Sequence, residues 1–145
     1  MKNRILFTFF FLLFSSNVIA ENLSIEAKNI SLDKNQKVSL FENEVKVVTE
    51  NGYIIKSDLA EYNKDSGILV LKNNIIGTDK KNNIIKTEFA EYNEKTKIFI
   101  TVGLTEISTS ENYKIETADI TLNNFSKKIF SKKPAVVIDQ DKNKI

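Results

Sequence analysis

The side chains that could perform acid–base chemistry in this sequence are carboxylates that recur in two similar stretches, IIKSDLAEYN at 54–63 and IIKTEFAEYN at 84–93. Catalysis by a carboxylate pair needs two unlike environments, so that one group stays protonated while the other is ionised. A repeated stretch gives its carboxylates similar surroundings. We therefore interpret the charges as a solvated outer face with cross-strand ion pairs. The charges in question are Lys56, Asp58, Glu61, Lys86, Glu88 and Glu91.

Other catalytic and metal-binding chemistry is limited by composition. The chain has no His and no Cys, so the usual nucleophile–base pairs and transition-metal sites cannot form. Arg4 is the single arginine, and the remaining sequence therefore lacks bidentate phosphate clamps. An enzyme is not expected, and we predict no cofactor and no metal site.

The first twenty residues have the pattern of an export signal. Lys2 and Arg4 precede the apolar run ILFTFFFLLF, and Val18–Ala20 supplies short residues at the cleavage position. The run is too short for a membrane span, which needs about 20 apolar residues. No Cys follows it, which excludes a lipoprotein anchor. We predict a signal peptide at 1–20, cleaved after Ala20, and an exported domain at 21–145.

The charge of the exported part is balanced. Without Lys2 and Arg4, 19 basic residues face 19 acidic ones. Nucleic acids are bound by a basic face, which this balance does not favour. Because the domain also has no Cys, its stability must come from backbone pairing and an apolar core rather than disulfides. We therefore expect a disulfide-free domain whose partner is not a nucleic acid.

The dominant feature of the sequence is a repeat with a period of 30 residues. A fixed period of this kind indicates a repeated supersecondary unit. In each unit a run with short-range alternation is followed by a turn-rich cluster such as NKDSG, and then by a run rich in β-branched residues such as ILVLKNNI. The apolar positions that recur are Ile25, Ile55, Ile85 and Ile115, and then Leu32, Tyr62, Tyr92 and Leu122.

This repeat predicts an all-β fold of antiparallel strands. Helical periodicity is absent after residue 20. Within the first strand of a unit, Ile55 and Ser57 share one face, whereas the next apolar positions are Ala60 and Tyr62. The inward phase therefore changes between 57 and 60, which predicts a β-bulge or bend. A bent strand suits two sheets that fold over one interior.

These residues resemble the OstA-like, LptA-type family of periplasmic lipopolysaccharide-transport proteins. The resemblance rests on LFENEVKVVTENGYII, KSDLAEYNKDSGILVLKNNI and KTEFAEYNEKTKIFI, and it covers about residues 24–138. The Gly-Asn-Val step of the family is altered to Asn43–Val45 and Asn73–Ile75. The matching positions of the strand and turn are Ser57, Asp58, Ala60, Glu61, Tyr62, Asp65 and Gly67.

The resemblance implies a V-shaped β-jellyroll that binds lipopolysaccharide through its lipid A acyl chains. It also implies other jellyroll transport proteins as partners, paired edge to edge, and a location in the periplasm or at the outer membrane. The residues expected to face inward and bind lipid are Ile55, Tyr62, Ile68, Val70, Ile75, Ile85, Tyr92, Ile98, Ile100 and Leu122. Burying acyl chains contributes about 0.8 kcal/mol per methylene.

Two alternatives stay open at this point. The same apolar residues could pack into a closed core, which would indicate a structural or adhesive β-repeat protein without a lipid site. The chain also stops at Ile145, where a fifth unit would begin, and no capping unit is recognisable. This end is consistent with a subunit whose sheet edge docks onto the next. It is equally consistent with the front piece of a longer chain, the periplasmic domain of the outer-membrane lipopolysaccharide assembly protein.

Overall fold

The repeat folds into consecutive antiparallel hairpins. The computed structural model describes residues 23–33, 35 and 37–144, and the expected signal peptide at 1–20 lies outside them. Within these residues the chain forms one antiparallel sheet and no helix. It follows that none of this described part is a helix long and apolar enough to span a membrane. The all-β prediction is confirmed.

The sheet contains eleven strands in the described residues. Most neighbours in sequence are neighbours in the sheet, in the order β1-β3-β4-β5-β6-β7-β8-β11, while β2 pairs with β3, β9 with β7 and β10 with β9. The strands are β1 (Leu23–Glu26), β2 (Asn29–Asp33), β3 (Val38–Thr49), β4 (Ile54–Asn63), β5 (Ile68–Thr78), β6 (Ile84–Asn93), β7 (Ile98–Ser108), β8 (Lys114–Ala118), β9 (Ile120–Asn123), β10 (Lys128–Ser131) and β11 (Val136–Ile138).

The turns repeat with the same period as the strands. Left-handed backbone conformations close the hairpins at two series of positions, and Gly and Asn adopt this conformation with the least strain. The first series is Lys37, Gly67, Lys97 and Lys127, and the second is Gly52, Asn82, Asn112 and Lys142. The two series close opposite ends of the hairpins, so every long strand runs between one turn of each kind.

A line of β-bulges crosses the middle of the sheet. The pairing of β4 with β5 shifts between Lys56 and Leu59, which confirms the phase change expected between 57 and 60. Equivalent shifts occur in the pairings of β3 with β4, β5 with β6 and β6 with β7. On the odd-numbered strands the extra residues have positive φ, at Asn43–Glu44, Asn73–Asn74 and Gly103. A bulge bends a strand, so the aligned bulges form a crease.

The crease divides the sheet into two half-sheets whose inner faces oppose each other. The first half-sheet contains β1, β8, β11 and residues 45–49, 54–57, 75–78, 84–87 and 104–108. The second contains β2, β9, β10 and residues 38–42, 59–63, 68–72, 89–93 and 98–102. Side chains of both half-sheets meet in one apolar cluster, as in a sheet folded over a shared interior.

Most of the deeply buried apolar residues lie on the long strands β3 to β6. Val47, Ala60, Leu69, Leu71 and Ala90 are fully buried. The small side chains at Ala60 and Ala90 occupy equivalent positions of the repeat, each paired across the sheet with Leu71. This alternation of small and large residues lets the opposed faces approach closely next to the crease.

Candidate functional site

Two apolar rows run across the inner surface at right angles to the strands. In each row every residue is the cross-strand partner of the next, so all members of a row point to the same side of the sheet. The first inner row lies on the first half-sheet and consists of Ile25, Val47, Ile55, Gly77, Ile85, Ile107, Ile115 and Val137. It reaches from edge strand β1 to edge strand β11.

The second inner row lies on the opposed half-sheet and reaches from edge strand β2 to edge strand β10. Its members are Leu32, Ser39, Tyr62, Leu69, Tyr92, Phe99, Leu122 and Ile129. Leu69, Tyr92 and Phe99 in the middle are buried, whereas Leu32 and Ile129 at the two edges are 59% and 50% exposed. Apart from Ser39, this row is therefore apolar from edge to edge, and it is uncovered at both ends.

A cavity of about 220 Å³ separates the two rows. Its walls include Ile55, Gly77 and Ile85 from the first inner row, and Tyr92 and Leu122 from the second. For comparison, a dry apolar cavity of about 150 Å³ is large enough to bind benzene. The space between the half-sheets can therefore hold a segment of an apolar chain.

Gly77 creates part of this space. It is the one member of the first inner row without a side chain, and it lies between Ile55 and Ile85 in the cross-strand pairing. Its backbone is not left-handed, and a Cβ added there would meet the Ile85 Cγ2 at an ordinary contact distance of 3.8 Å. The backbone conformation therefore does not require glycine at this position, and a larger side chain would enter the cavity.

The crease itself is lined by hydroxyl groups whose hydrogen bonds are satisfied. Ser57, Thr87 and Thr105 are buried. The Ser57 hydroxyl donates to the carbonyl of Leu59 at 3.1 Å, and the Thr87 hydroxyl donates to the carbonyl of Leu104 at 3.2 Å. These hydrogen bonds satisfy buried hydroxyl groups next to the bulges, so their role is to stabilise the crease.

The opposite side of the interior, away from the crease, is bordered by turns of both half-sheets. We call the gap between turn 50–53 and turns 94–97 and 124–127 the mouth. The Lys97 ammonium donates to the Glu50 carboxylate across the mouth at 3.0 Å. The Lys127 ammonium lies 5.8 Å from the ring centroid of Tyr53, a cation–π distance. These two contacts link the half-sheets at the mouth.

Most polar side chains along the cavity stabilise turns. The Asp79 carboxylate accepts from the backbone N–H of Lys81 and of Asn83 and from the Asn83 amide, at 2.7–2.9 Å. Burial alone would raise the pKa of Asp79, but these hydrogen bonds, from Asn83 above all, lower it overall. Thr49 and Thr109 accept from the N–H groups of Tyr53 and Tyr113. The Oδ1 of Asn124, in contrast, is buried without a hydrogen-bond partner among the described residues.

Tyr92 lies at the centre of the second inner row and is 2% exposed. Burial raises the pKa of the Tyr92 phenol to about 12, and the nearby carboxylates of Glu94 and Glu50 add to the shift. The phenol is therefore neutral at physiological pH, so the inner face carries no charge at this point. No cluster of His, Cys, Asp or Glu that could hold a metal ion occurs among residues 23–33, 35 and 37–144.

Six of the ten residues expected to face inward lie on the inner surface. Ile55, Ile85, Tyr92 and Leu122 line the cavity. Tyr62 belongs to the second inner row, and Ile75 is buried in the core cluster beside the crease. The expectation that these residues bind lipid remains a prediction.

The inward expectation is wrong for Ile68, Val70, Ile98 and Ile100. Val70 pairs with Glu61 and Glu91, and Ile100 pairs with Glu91 and Thr121. Ile68 and Ile98 likewise pair with asparagines at the ends of β4, β6 and β9. All four therefore lie on the outer face, since cross-strand partners share a face. The inner residues of these strands are Leu69, Leu71, Phe99 and Thr101.

Comparison with known proteins identifies the fold. The solved structure of LptH from Pseudomonas aeruginosa, described as the LptA homologous periplasmic component of the conserved lipopolysaccharide transport device, matches this chain with a TM-score of 0.67. The sequence identity is 12%, and the match covers 81% of this chain and 94% of that chain. No family model and no curated protein matches the sequence. The OstA-like jellyroll fold implied by the sequence resemblance is therefore confirmed.

Proposed function

We propose that this protein is a non-enzymatic periplasmic carrier that binds lipopolysaccharide by its acyl chains and helps to move it toward the outer membrane. The observation that carries the proposal is the pair of opposed apolar rows, which cross the whole interior from one sheet edge to the other. An acyl chain between them would exchange water for apolar side chains at every position along its path. LptH, which has the same fold, is described as a component of a lipopolysaccharide transport device.

The distribution of burial supports a path rather than a closed core. The second inner row is buried in its middle, but Leu32 and Ile129 at its ends are exposed. An ordinary core would cover such residues, because exposed apolar ends leave surface in contact with water. A jellyroll placed against either edge would cover them and extend the rows.

Two edge strands of the sheet also have a free side, and this supports pairing with other jellyroll proteins. Among the described residues, β2 and β10 each pair with one strand only. An edge strand presents free N–H and C=O groups that another strand can bind. We propose that other jellyroll transport proteins pair edge to edge with this chain in the periplasm, where the export signal would place it.

The experiment that tests this function is mass spectrometry of lipid that co-purifies with the protein from the periplasm of a lipopolysaccharide-producing host. The proposal predicts lipid A in stoichiometric amount. A stable, monodisperse protein without bound lipid would instead favour the alternative, a structural β-repeat protein with a closed interior.

A further inference from the structure

Asn124 is a buried polar residue at the wall of the cavity. It begins the turn between β9 and β10, and its backbone N–H donates to the carbonyl of Lys97 at 3.1 Å. The residue is 6% exposed and lines the cavity together with Leu122 and Ile129 of the second inner row. An uncharged amide thus borders a space whose wall is mostly apolar.

The side-chain oxygen of Asn124 lacks a hydrogen-bond partner among the residues that the structure describes. This atom, Oδ1, is fully buried. Buried polar atoms are nearly always paired, because leaving one unpaired costs free energy. The polar neighbours along the cavity do not share this property, since Asp79, Asn83 and Thr109 all accept hydrogen bonds that hold turns together.

The repeat indicates that the fold does not need an amide at this position. The equivalent residues one and two units earlier are Glu94 and Lys64. Lys64 is exposed, and Glu94 is half-buried and accepts a hydrogen bond from the Tyr62 hydroxyl at 2.6 Å. Their turns close with the same left-handed residue four positions after the preceding strand, at Gly67 and Lys97. Of these three equivalent residues, only Asn124 is buried, and its Oδ1 has no hydrogen-bond partner in the described part of the chain.

We propose that the Asn124 amide binds a hydroxyl or amide group carried by the acyl chain that enters the cavity, an inference that rests on the proposed function. A hydroxyl or a secondary amide can both donate and accept, which matches the two atoms of a primary amide. Rotation about the last side-chain torsion exchanges these atoms at little cost. The cavity then prefers an acyl chain with such a group over a plain chain, because the plain chain leaves the amide unpaired.

The test is a comparison of two ligands that differ by one hydroxyl group. The protein expressed from the full sequence is titrated with 3-hydroxydodecanoic acid and with dodecanoic acid, each displacing an apolar fluorescent dye. We expect the wild type to bind the hydroxylated acid about tenfold more tightly, the effect of one net hydrogen bond. Asn124→Leu, which keeps the size of the side chain, should bind both acids equally and bind dodecanoic acid at least as well as the wild type.

The matched control is Lys64→Leu, at the equivalent position of a turn that does not line the cavity, and it should keep the preference. A wild type that binds both acids with equal affinity would overturn the inference and leave the proposed function standing. A preference that persists in Asn124→Leu would overturn it as well. Failure of the wild type to bind either acid would contradict the proposed function, and this inference with it.

Discussion

Glu50 and Lys97 lie 47 positions apart in the chain, and their side chains meet at 3.0 Å across the mouth of the interior. One belongs to a turn of the first half-sheet and the other to a turn of the second. The Lys97 side chain is only 12% exposed, whereas that of Glu50 is 57% exposed. This ion pair therefore joins two half-sheets that are also held together at the crease, by apolar packing and by the Lys127–Tyr53 contact at the mouth.

Lys97→Met should open the mouth without unfolding the protein. An ion pair with one well-exposed partner contributes about 0–1 kcal/mol, so stability should change little. The rate at which an apolar dye enters the cavity should rise, because the half-sheets separate more easily. Stopped-flow fluorescence measures this rate. The control is Lys72→Met, which removes the Lys72–Glu61 pair from the outer face of one half-sheet. An equal effect from both variants would contradict the role assigned to the mouth.

The two faces of the sheet should respond differently to the same change. Ile85 and Ile100 are both half-buried isoleucines in long strands, but Ile85 lines the cavity and Ile100 lies on the outer face beside Glu91. Ile85→Asn should weaken lipid binding strongly, because it places an amide in the first inner row. Ile100→Asn changes the outer face only. Its binding should stay within about twofold of wild type, which corresponds to a change of under 0.5 kcal/mol in binding free energy. Lipid titration of both variants measures this, and comparable losses would contradict the face assignment.

Stability should fall in strongly alkaline solution because of Tyr92. Its pKa in the folded protein is about 12, above the ordinary value of 10, so folding favours the neutral phenol. This contribution to stability is complete below pH 10 and is lost as the pH rises through 12. Urea unfolding between pH 9 and 12 should show a steeper decline for the wild type than for Tyr92→Phe, which has no phenol to ionise. An equal decline in the stability of both proteins would contradict the raised pKa of Tyr92.

Edge pairing can be tested with introduced cysteines, since the chain has none. Ser31 in β2 and Lys128 in β10 lie on the two edges of the second half-sheet. A protein with Ser31→Cys and Lys128→Cys should form a ladder of oligomers with a short bifunctional maleimide. Ser31→Cys with Lys86→Cys, whose second site lies in the middle of the sheet, should yield at most dimers. Monomers alone in the first case would argue against pairing of copies by these edges.

The architecture was largely predictable because the same strand and turn pattern occurs in each repeat unit. Each unit carries the same turn positions, and the phase change between Ser57 and Ala60 predicted the bulge that the structure contains. The structure places the extra residues of these bulges on the odd-numbered strands, at Asn43–Glu44, Asn73–Asn74 and Gly103, and Asn and Gly are the residue types that adopt left-handed conformations with the least strain. Turns and bulges of this kind depend on residues close together in the chain, so they can be predicted from the sequence alone.

The inward face of β5 and β7 was not predictable from alternation, because these strands are apolar on both faces. In the run ILVL at 68–71, either alternate pair of side chains, Ile68 and Val70 or Leu69 and Leu71, could face the core. The length of the turn decides between them: a four-residue turn pairs Asn63 with Ile68, which places Tyr62 opposite Leu69. Counting back from the turn would have identified Leu69 and Phe99 as inner residues.

The mouth and the Asn124 site depend on contacts between the half-sheets, which no short stretch of sequence encodes. Glu50 and Lys97 belong to different repeat units and become neighbours only when the sheet folds along its crease. Asn124 differs from its repeat counterparts, but its burial follows from the position of Leu122 and Ile129 around the cavity. The angle between the half-sheets decides such contacts, and it is set by all the bulges together.

The most direct test of the central claim, that the opposed apolar rows form an open lipid path, is a titration of Gly77 variants with fluorescently labelled lipopolysaccharide. Gly77→Ala adds a Cβ at ordinary contact distance and should bind like the wild type. Gly77→Leu fills part of the cavity of about 220 Å³ and should lose most binding while retaining the strand signal in circular dichroism. Undiminished binding by a folded Gly77→Leu variant would contradict the account.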